Sequence, residues 1–490
     1  MTKAFENASK LRAWADPVAL GADPTGTIAA DAAFARALAT RLPLRLAGNF
    51  RLDRGLSVTL NAGQDFIMDG AGPEAARLVF LTGGLSVTYL GDSNSSGDKT
   101  SISISGIGIE TEAVGGADAL RITNTTGAVV NDTAGNVTLS NLSFAGTTSA
   151  AYWLNAIALE NVAFPDLRGI KVEDGAKRTT ALSINTKGNY AAVDTTIDSF
   201  KCWEVATAVK IRGRAEGVYL NHFVVVGGET GIDWQATIPA GAGKKPLLLL
   251  DNSHINVAGT AVRTTDVAQV IASDSLIYLA NRSDKATYAF DFQATNGVSS
   301  ENNRINGVTI IGQGDRTGSQ STAVRCGANV FGVTVDATID NVGTCVDTVD
   351  ENRTVIAPGS RLSNYNVRSV GMYNVGKVAG GTSGGVSVDS TLQMEAIGAD
   401  SYERDQNREQ LRVGSFTYTC SSNDETVTHP LTRPYRTDAN GMVACFGSWP
   451  SEGAVVVPDL PASTKDTLSF RVRGGIPGAP YRINYIAYGY

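Results

Sequence analysis

The chain has few of the residues that crosslink small domains or ligate metals. It contains five cysteines and three histidines in 490 residues, without the close spacing of a zinc site. Cys202, Cys326 and Cys345 occupy small or apolar positions of a repeat described below, so we expect buried thiols. Cys420 and Cys445 can pair, but nothing in the sequence requires it. We therefore expect no metal site and no cofactor.

Long apolar runs and an excess of basic residues are also missing. No run approaches the ~18 apolar residues that a membrane-spanning helix needs, and residues 1–17 contain no apolar stretch typical of a secretion signal. The net charge of −7 argues against nucleic-acid binding. We expect a protein made in a cytosol, with no membrane insertion and no nucleic-acid partner.

The residues that are present favour many short strands. The 53 glycines, the few aromatics and the abundant Ser, Thr, Asn and Val suit strands joined by tight turns. At 490 residues the chain is too long for one compact core, so a solenoid with smaller units fits better.

A four-residue pattern of small, apolar, variable and apolar positions recurs between residues 119 and 348. Its copies begin at Ala119, Gly169, Ala208, Gly231, Ala261, Ala289, Ala323 and Cys345. Alternation within each copy predicts strands, and the recurrence predicts that these strands stack in a parallel β-helix. A second pattern, which often precedes the first, places Asn at a predicted corner column: Asn141, Asn161, Asn252 and Asn341.

The first pattern also predicts which side chains point inward. The predicted core positions are Val209, Ile211, Ile232, Val262, Phe290 and Phe292. The third position of each copy should point outward, giving the column Arg121, Lys171, Lys210, Asp233, Arg263, Asp291, Arg325 and Asp347. Its alternating signs from Lys210 onward are typical of a surface ion-pair ladder.

The segments on either side of the repeats differ from them. Asp31 to Leu38 is predicted to form an amphipathic helix that caps the solenoid, with Ala30, Phe34, Leu38 and Leu42 on one face. The end of the chain has period-2 strands typical of an antiparallel β-sandwich. The predicted units are an N-terminal segment with the capping helix, a β-helix, a Gly-rich linker and a sandwich, over 1–45, 46–365, 366–385 and 386–490.

Three stretches near the start resemble a known family. They are Leu20-Gly-Ala-Asp-Pro-Thr-Gly26 with Asp31, Leu42-Pro-Leu-Arg-Leu-Ala-Gly-Asn-Phe-Arg-Leu52 and Met68-Asp-Gly-Ala-Gly72. Their order and spacing resemble the opening of bacteriophage tailspikes and of pectate-lyase-like β-helix enzymes, although Asp-Pro-Thr-Gly stands where Gly-Asp-Gly is usual.

This resemblance implies an all-β, right-handed parallel β-helix and a homotrimer whose C-terminal domain trimerises or contacts the receptor. It implies a virion tail protein that acts outside the cell on a bacterial surface polysaccharide, such as a capsule, an O-antigen or an exopolysaccharide. Residues 1–17 would then contact the tail or an adaptor protein, or be disordered.

Carboxylates on the solenoid surface are the candidate catalytic groups, because glycoside hydrolysis uses a pair of them. The candidates are Glu204, Glu229, Asp233 and Asp266, which we expect to approach one another across neighbouring coils. Candidate substrate-binding residues are Trp203, Arg212, Arg214 and Arg263. Trp203 can equally be a turn or trimer contact, Trp234 is expected in the core, and His222 at a corner.

Three functions remain open on the sequence alone. The first is a depolymerase that hydrolyses glycosidic bonds. The second is a tail fibre that only binds its receptor. The third is a lyase, in which a base removes a proton beside a uronate carboxylate and Arg or Lys neutralises that carboxylate. The site can lie within one subunit or between subunits.

Overall fold

The structure is a computed structural model. It describes residues 14–348 except 62, 91–99, 126–135, 188–191, 238–245, 296–298, 315–318, 328 and 332. Beyond residue 348 it describes 354–356, 361–363, 387–388, 402–406, 409–422, 424–430, 439–446, 455–464, 467–474 and 476–489.

The chain folds as a parallel β-helix whose coils contribute strands to three faces, called face A, face B and face C in the order the chain meets them. Face A contains β2 (Leu44–Leu46), β5 (Phe66–Gly70), β8 (Ser101–Ser105), β15 (Thr195–Asp198), β18 (Val218–Asn221), β20 (Leu247–Asp251), β22 (Gln269–Ser273), β31 (Thr354–Ile356) and β33 (Ser387–Val388). Face B contains β1 (Thr25–Ala29), β3 (Gly48–Leu52), β6 (Ala76–Phe80), β9 (Gly108–Thr111), β16 (Lys201–Trp203), β23 (Leu276–Ala280) and β32 (Arg361–Ser363). Face C contains β4 (Leu56–Leu60), β7 (Leu85–Tyr89), β10 (Asp118–Asn124), β12 (Asn155–Glu160), β14 (Thr180–Asn185), β17 (Thr207–Gly213), β24 (Thr287–Gln293), β27 (Ser321–Cys326) and β30 (Thr344–Thr348).

Several longer strands bend and serve two faces. From face A to face B run β11 (Asn136–Gly146), β13 (Pro165–Glu173), β26 (Arg304–Gln313) and β29 (Val333–Asp340), and from face B to face C run β19 (Val224–Ala236) and β21 (His254–Thr265). A small separate pair is formed by β25 (Ser300–Glu301) and β28 (Val330–Phe331).

The predicted fold class and inward register are both confirmed. On face C the stacked partners are Val209, Ile232, Val262 and Phe290, and all four are fully buried. The other two predicted core residues, Ile211 and Phe292, are buried as well. Cys202, Cys326 and Cys420 are buried free thiols, whereas the side chain of Cys345 lies outside the described residues. Strand alternation therefore sets which residues form the core.

Two predictions of how the repeats stack are wrong. Lys171 lies on face B, paired with Lys201, so it does not belong to the charged column of face C. The Asn residues do not form one column, since Asn161 follows a face C strand and Asn341 follows a face B segment. The turns differ in length from coil to coil, so equal spacing in sequence does not place residues at the same corner.

A single described helix, α1 (Asp31–Ala39), caps the first coils. Its buried residues are Ala33, Phe34 and Ala37, and the ring of Phe34 packs edge-on against Phe50 at 5.3 Å between centroids. Leu42, predicted on the same face, is largely exposed because the helix has ended before it. No helix among the described residues is long and apolar enough to cross a membrane.

The end of the chain contains two antiparallel sheets. One orders β34 (Tyr402–Gln406), β35 (Glu409–Thr419), β40 (Pro480–Gly489) and β37 (Ala439–Phe446), and the other orders β36 (Asp424–Pro430), β39 (Thr467–Arg473) and β38 (Val455–Pro458). A 3₁₀ turn covers Leu460–Ala462. The predicted domain boundaries stay predictions, and the predicted linker over 366–385 lies outside the described residues.

Candidate functional site

The outer surface of face C is an ion-pair ladder. Stacked partners along it are Lys210, Asp233, Arg263, Asp291 and Arg325, so the sign alternates coil by coil. The Arg263 guanidinium lies 3.3 Å from the Asp291 carboxylate, which is buried. Opposite charges at strand spacing stabilise stacking, so this column is explained without a ligand.

Asp233, predicted as a catalytic acid, is held by its neighbours on this face. Arg212 forms an ion pair with its carboxylate and also donates to its main-chain oxygen at 2.8 Å. Arg214 pairs with Glu216 at 2.6 Å, and Arg263 with Asp291. These arginines therefore lie in ion pairs, away from the other predicted acids.

Asp266 lies at the far end of face C, at a left-handed corner with φ 60°. Its carboxylate accepts hydrogen bonds from the main chain and the hydroxyl of Thr295 at 2.6 and 2.9 Å. Glu229 stacks on Gly259, seven residues before Asp266, which puts the two acids on the order of 23 Å apart along the strand direction. The structure thus does not bring the four acids together.

Glu204 and Glu229 share the corner between faces B and C. The Glu204 main-chain N–H donates to the Val226 oxygen at 2.8 Å, and that of Glu229 donates to Val205 at 3.0 Å. Gly227, with φ 70°, leaves room for the exposed side chain of Glu204.

The carboxylate of Glu229 reaches toward the following coils. It lies over Gly259 and forms an ion pair with Lys285. The two carboxylates are therefore about one to two coil spacings apart, roughly 5–10 Å.

Face B, by contrast, carries aromatic and apolar side chains on its outside. Trp203 points outward beside Glu204 and lies under the Lys171 ammonium, 5.2 Å from its ring centroid. His254 and Tyr278 lie two and three coils further on, and their rings meet edge-on at 5.6 Å between centroids. The partly exposed outward residues of this strip, hereafter the face B strip, are Trp203, Val224, Val226, His254, Leu276, Tyr278 and Ile311.

A groove of about 950 Å³ runs beside this strip along the corner between faces A and B. Its lining includes Lys201, His222, His254 and Asp274. Such a volume is within the usual range for small-molecule sites. Because it crosses several coils, the groove follows the solenoid axis.

His222 occupies a left-handed corner, as predicted, with φ 49°. Its Nδ1 lies 3.2 Å from the Asp198 carboxylate, which also accepts from the Asn221 amide at 2.9 Å. An Nδ1–H that donates to Asp198 leaves Nε2 as the free basic nitrogen. Two coils from Asp198 along the same face, the Asp251 carboxylate accepts a hydrogen bond from the Ser273 hydroxyl at 2.7 Å.

Sequence reasoning placed Trp203 outward and Trp234 inward, and both placements are confirmed. It missed Asp198, Lys201 and Tyr278 as members of one surface. Strand alternation indicates that Tyr278 points outward, but only the stacking register reveals that it lies three coils from Trp203.

Comparisons of sequence find no matching family model and no matching curated protein. Solved structures do resemble the chain. Phage tailspikes are among them. Tailspike gp49 from Pseudomonas phage LKA1 is 11% identical over 97% of this chain and 99% of its own, with a TM-score of 0.46. The Dettilon tailspike gp208 is 11% identical over 97% and 94%, with a TM-score of 0.40.

A GH87 α-1,3-glucanase from Streptomyces thermodiastaticus is 14% identical over 72% of this chain and 67% of its catalytic unit, with a TM-score of 0.38. At such low identity, the function has to be argued from the residues of this chain.

Proposed function

We propose that the protein is a homotrimeric phage tail protein that binds a bacterial surface polysaccharide along face B and cleaves it by glycoside hydrolysis. The face B strip is the observation that carries this proposal. Aromatic and apolar side chains on an exposed sheet are unusual unless something covers them, and flat rings suit the apolar faces of sugars.

The strip also suits a polymer, because its members repeat along the solenoid axis at each coil. A linear polysaccharide lying parallel to that axis would meet the same kind of surface repeatedly. The groove at one border of the strip supplies hydrogen-bonding groups to the sugar hydroxyls.

Glu204 and Glu229 are the proposed catalytic pair, since of the four predicted acids only these two share a corner beside the strip. Their estimated separation, roughly 5–10 Å, spans the values used by retaining and inverting glycosidases. Glu204 is exposed and would donate a proton to the leaving glycosidic oxygen, and in a retaining mechanism it would then accept a proton from the attacking water. Glu229, which forms an ion pair with Lys285, would act as the base or nucleophile.

Single amide substitutions test the pair. We expect Glu204→Gln and Glu229→Gln to keep polysaccharide binding and to lower the release of reducing ends at least about 10²-fold, because each removes a proton-transfer group. Asp233→Asn and Asp266→Asn should cleave normally. A matched control is Glu74→Gln, an exposed acid near the start of the solenoid.

If all four predicted acids can be replaced without loss of cleavage, the chemistry lies elsewhere, for example between subunits. If the wild-type protein binds host polysaccharides and never cleaves one, the receptor-binding fibre is the correct function. Halo assays on lawns of candidate hosts give the first indication.

The His222 and Asp198 pair favours a second candidate, a polysaccharide lyase. His222 would remove the proton beside a uronate carboxylate, and Lys201 in the same groove would neutralise that carboxylate. The electron pair left behind would form the double bond as the bond between carbon and the glycosidic oxygen breaks, and that oxygen would take a proton from the His222 imidazolium. Lyase products contain a new carbon–carbon double bond and absorb in the ultraviolet, whereas hydrolysis products do not. If the protein is a lyase, His222→Asn should abolish the ultraviolet absorbance of its products. If it is a hydrolase, the same variant should still release reducing ends.

Attachment to the virion tail or an adaptor is proposed for the N-terminal segment. Its described part exposes Trp14, Val18 and Ile28. Exposed apolar side chains at the end of a molecule support contact with another protein.

A further inference from the structure

Two lysines lie directly over one another on face B. Lys171 of β13 and Lys201 of β16 are register partners on neighbouring coils, and both are exposed. Like charges placed opposite each other at strand spacing destabilise the pairing of their strands. Face C avoids this arrangement, because the sign of its column alternates from Lys210 to Arg325. The lysine pair of face B is therefore not explained as part of an ion-pair ladder.

The neighbouring negative charge serves only one of the two lysines. The Lys171 ammonium lies 3.3 Å from the Glu173 carboxylate. Within the part of the chain that the structure describes, no carboxylate forms an ion pair with Lys201. The positions that stack on the two lysines, Ser143 before and Val224 after, are uncharged. The pair thus carries one positive charge more than its surroundings balance.

Lys201 also lines the groove at the corner between faces A and B, together with His222 and His254. The nearest acid across that corner is Asp198, three residues earlier in the chain. Its carboxylate already accepts a hydrogen bond from Asn221 at 2.9 Å and lies 3.2 Å from His222. The Lys201 ammonium is therefore available to a molecule in the groove.

The lysine pair adjoins the aromatic end of the face B strip. Trp203 follows Lys201 by two residues, about 7 Å along the same strand, and its ring lies under the Lys171 ammonium. Glu204 comes next, at the opposite border of face B. A sugar that contacts Trp203 could thus direct a negative group toward Lys201 and away from Glu204.

We propose that the polymer bound along the face B strip is an acidic polysaccharide, and that the carboxylate of one of its sugars binds between Lys171 and Lys201. This inference rests on the proposed function and names the class of its substrate. Hydrolysis by two carboxylic acids does not itself require an acidic sugar, so the lysine pair contributes specificity. In a chain of net charge −7, such a local basic area is what an acidic polymer needs in order to bind.

A chemical change to the polymer tests the proposal. The probe is the polysaccharide purified from a strain whose cells the protein binds, used in its native form and after carboxyl reduction with carbodiimide and borohydride. Reduction turns each carboxylate into an uncharged alcohol. Biolayer interferometry gives the dissociation constant of both forms. We expect reduction to weaken binding by the wild-type protein at least about tenfold, because charge-assisted contacts are lost.

A change to the protein shows whether the lysine pair is responsible. Lys201→Met removes the charge and keeps a side chain of similar length. We expect it to bind the native polymer at least about tenfold more weakly than the wild type does, and to respond to carboxyl reduction by less than about threefold. Lys201→Arg should keep the wild-type preference. The matched control Lys210→Met removes a lysine of face C and should also behave like the wild type.

The outcomes separate this inference from the function on which it rests. If the protein binds no bacterial polysaccharide, the proposed function fails and this inference fails with it. If the bound polysaccharide is neutral, or has phosphates as its only acidic groups, the proposed function stands and the acidic-sugar inference is wrong. The inference is also wrong if carboxyl reduction weakens binding by the wild type and by Lys201→Met to the same extent.

Discussion

At the scale of single residues, the core of the solenoid is specified by stacked side chains of equal orientation. Phe290 is fully buried, lies on Val262 and Val324, and meets the ring of Phe292 at 5.8 Å. We expect Phe290→Ala to lower the free energy of unfolding by about 3–5 kcal/mol, since it leaves a cavity that neighbouring coils cannot fill.

Chemical denaturation measures this loss. Lys210→Ala is the control, an outward position on the same face that should change stability by no more than about 0.5 kcal/mol. Equal losses at both positions would contradict the inward and outward assignment.

Asp23 gives the N-terminal turn a dependence on pH. Hydrogen bonds from Thr27, Thr25 and Ile28 to its carboxylate hold its pKa well below the ordinary value. The ionised form is therefore favoured in the folded state, so its stabilising contribution is complete above about pH 4 and is lost as pH falls further.

We expect Asp23→Asn to lower the melting temperature of the protein near neutral pH. Well below pH 4, where the wild-type carboxylate loses its stabilising contribution, the variant and the wild type should melt at almost the same temperature. Melting curves across this pH interval provide the measurement. A difference between the variant and the wild type that is constant with pH would exclude this role.

At the scale of the strand and the face, the buried carboxylate of Asp291 ties three coils together. It accepts from Arg263 at 3.3 Å and from Gln293 at 2.5 Å, and Arg325 lies 3.9 Å away. Asp291→Asn should lower the free energy of unfolding by about 1–3 kcal/mol, because it leaves two guanidinium groups without their shared anion.

Asp233→Asn on the same face is the comparison, since Asp233 is more exposed and pairs mainly with Arg212. Its loss should stay within about 1 kcal/mol. Urea unfolding of both variants decides the matter, and a larger loss at Asp233 would refute the importance of burial for this ladder.

The faces also show what could be predicted from the sequence. Inward and outward positions follow from strand alternation alone, so the register of Val209, Ile232 and Phe290 was predictable. Which corner a turn residue occupies depends on the length of every preceding turn. The pattern at Gly169 therefore falls on face B, although it reads like those of face C.

The same dependence explains the outcome for the candidate site. Glu229 and Asp266 belong to successive coils but lie at opposite ends of face C strands, which only the pairing register reveals. The strip on face B escaped prediction because its members come from five separate strands.

At the scale of the whole molecule, an exposed apolar strip and two antiparallel C-terminal sheets suit an assembly of several chains. We expect the native mass to correspond to three chains, as the proposed function requires. Native mass spectrometry or light scattering measures it, and a monomer with full polysaccharide activity would remove trimerisation from the proposal.

One corner of the solenoid has a consequence for evolution. Between faces A and B, the same left-handed backbone carries different side chains, with φ between 45° and 64° at Asn141, Gly169, Ser199, His222, Asn252, Asp274 and Gly307. The fold requires only a backbone conformation there, which costs a non-glycine residue roughly 1–2 kcal/mol. Under the proposed function, exchanging these side chains one at a time would change the polysaccharide that is bound without redesigning a single coil.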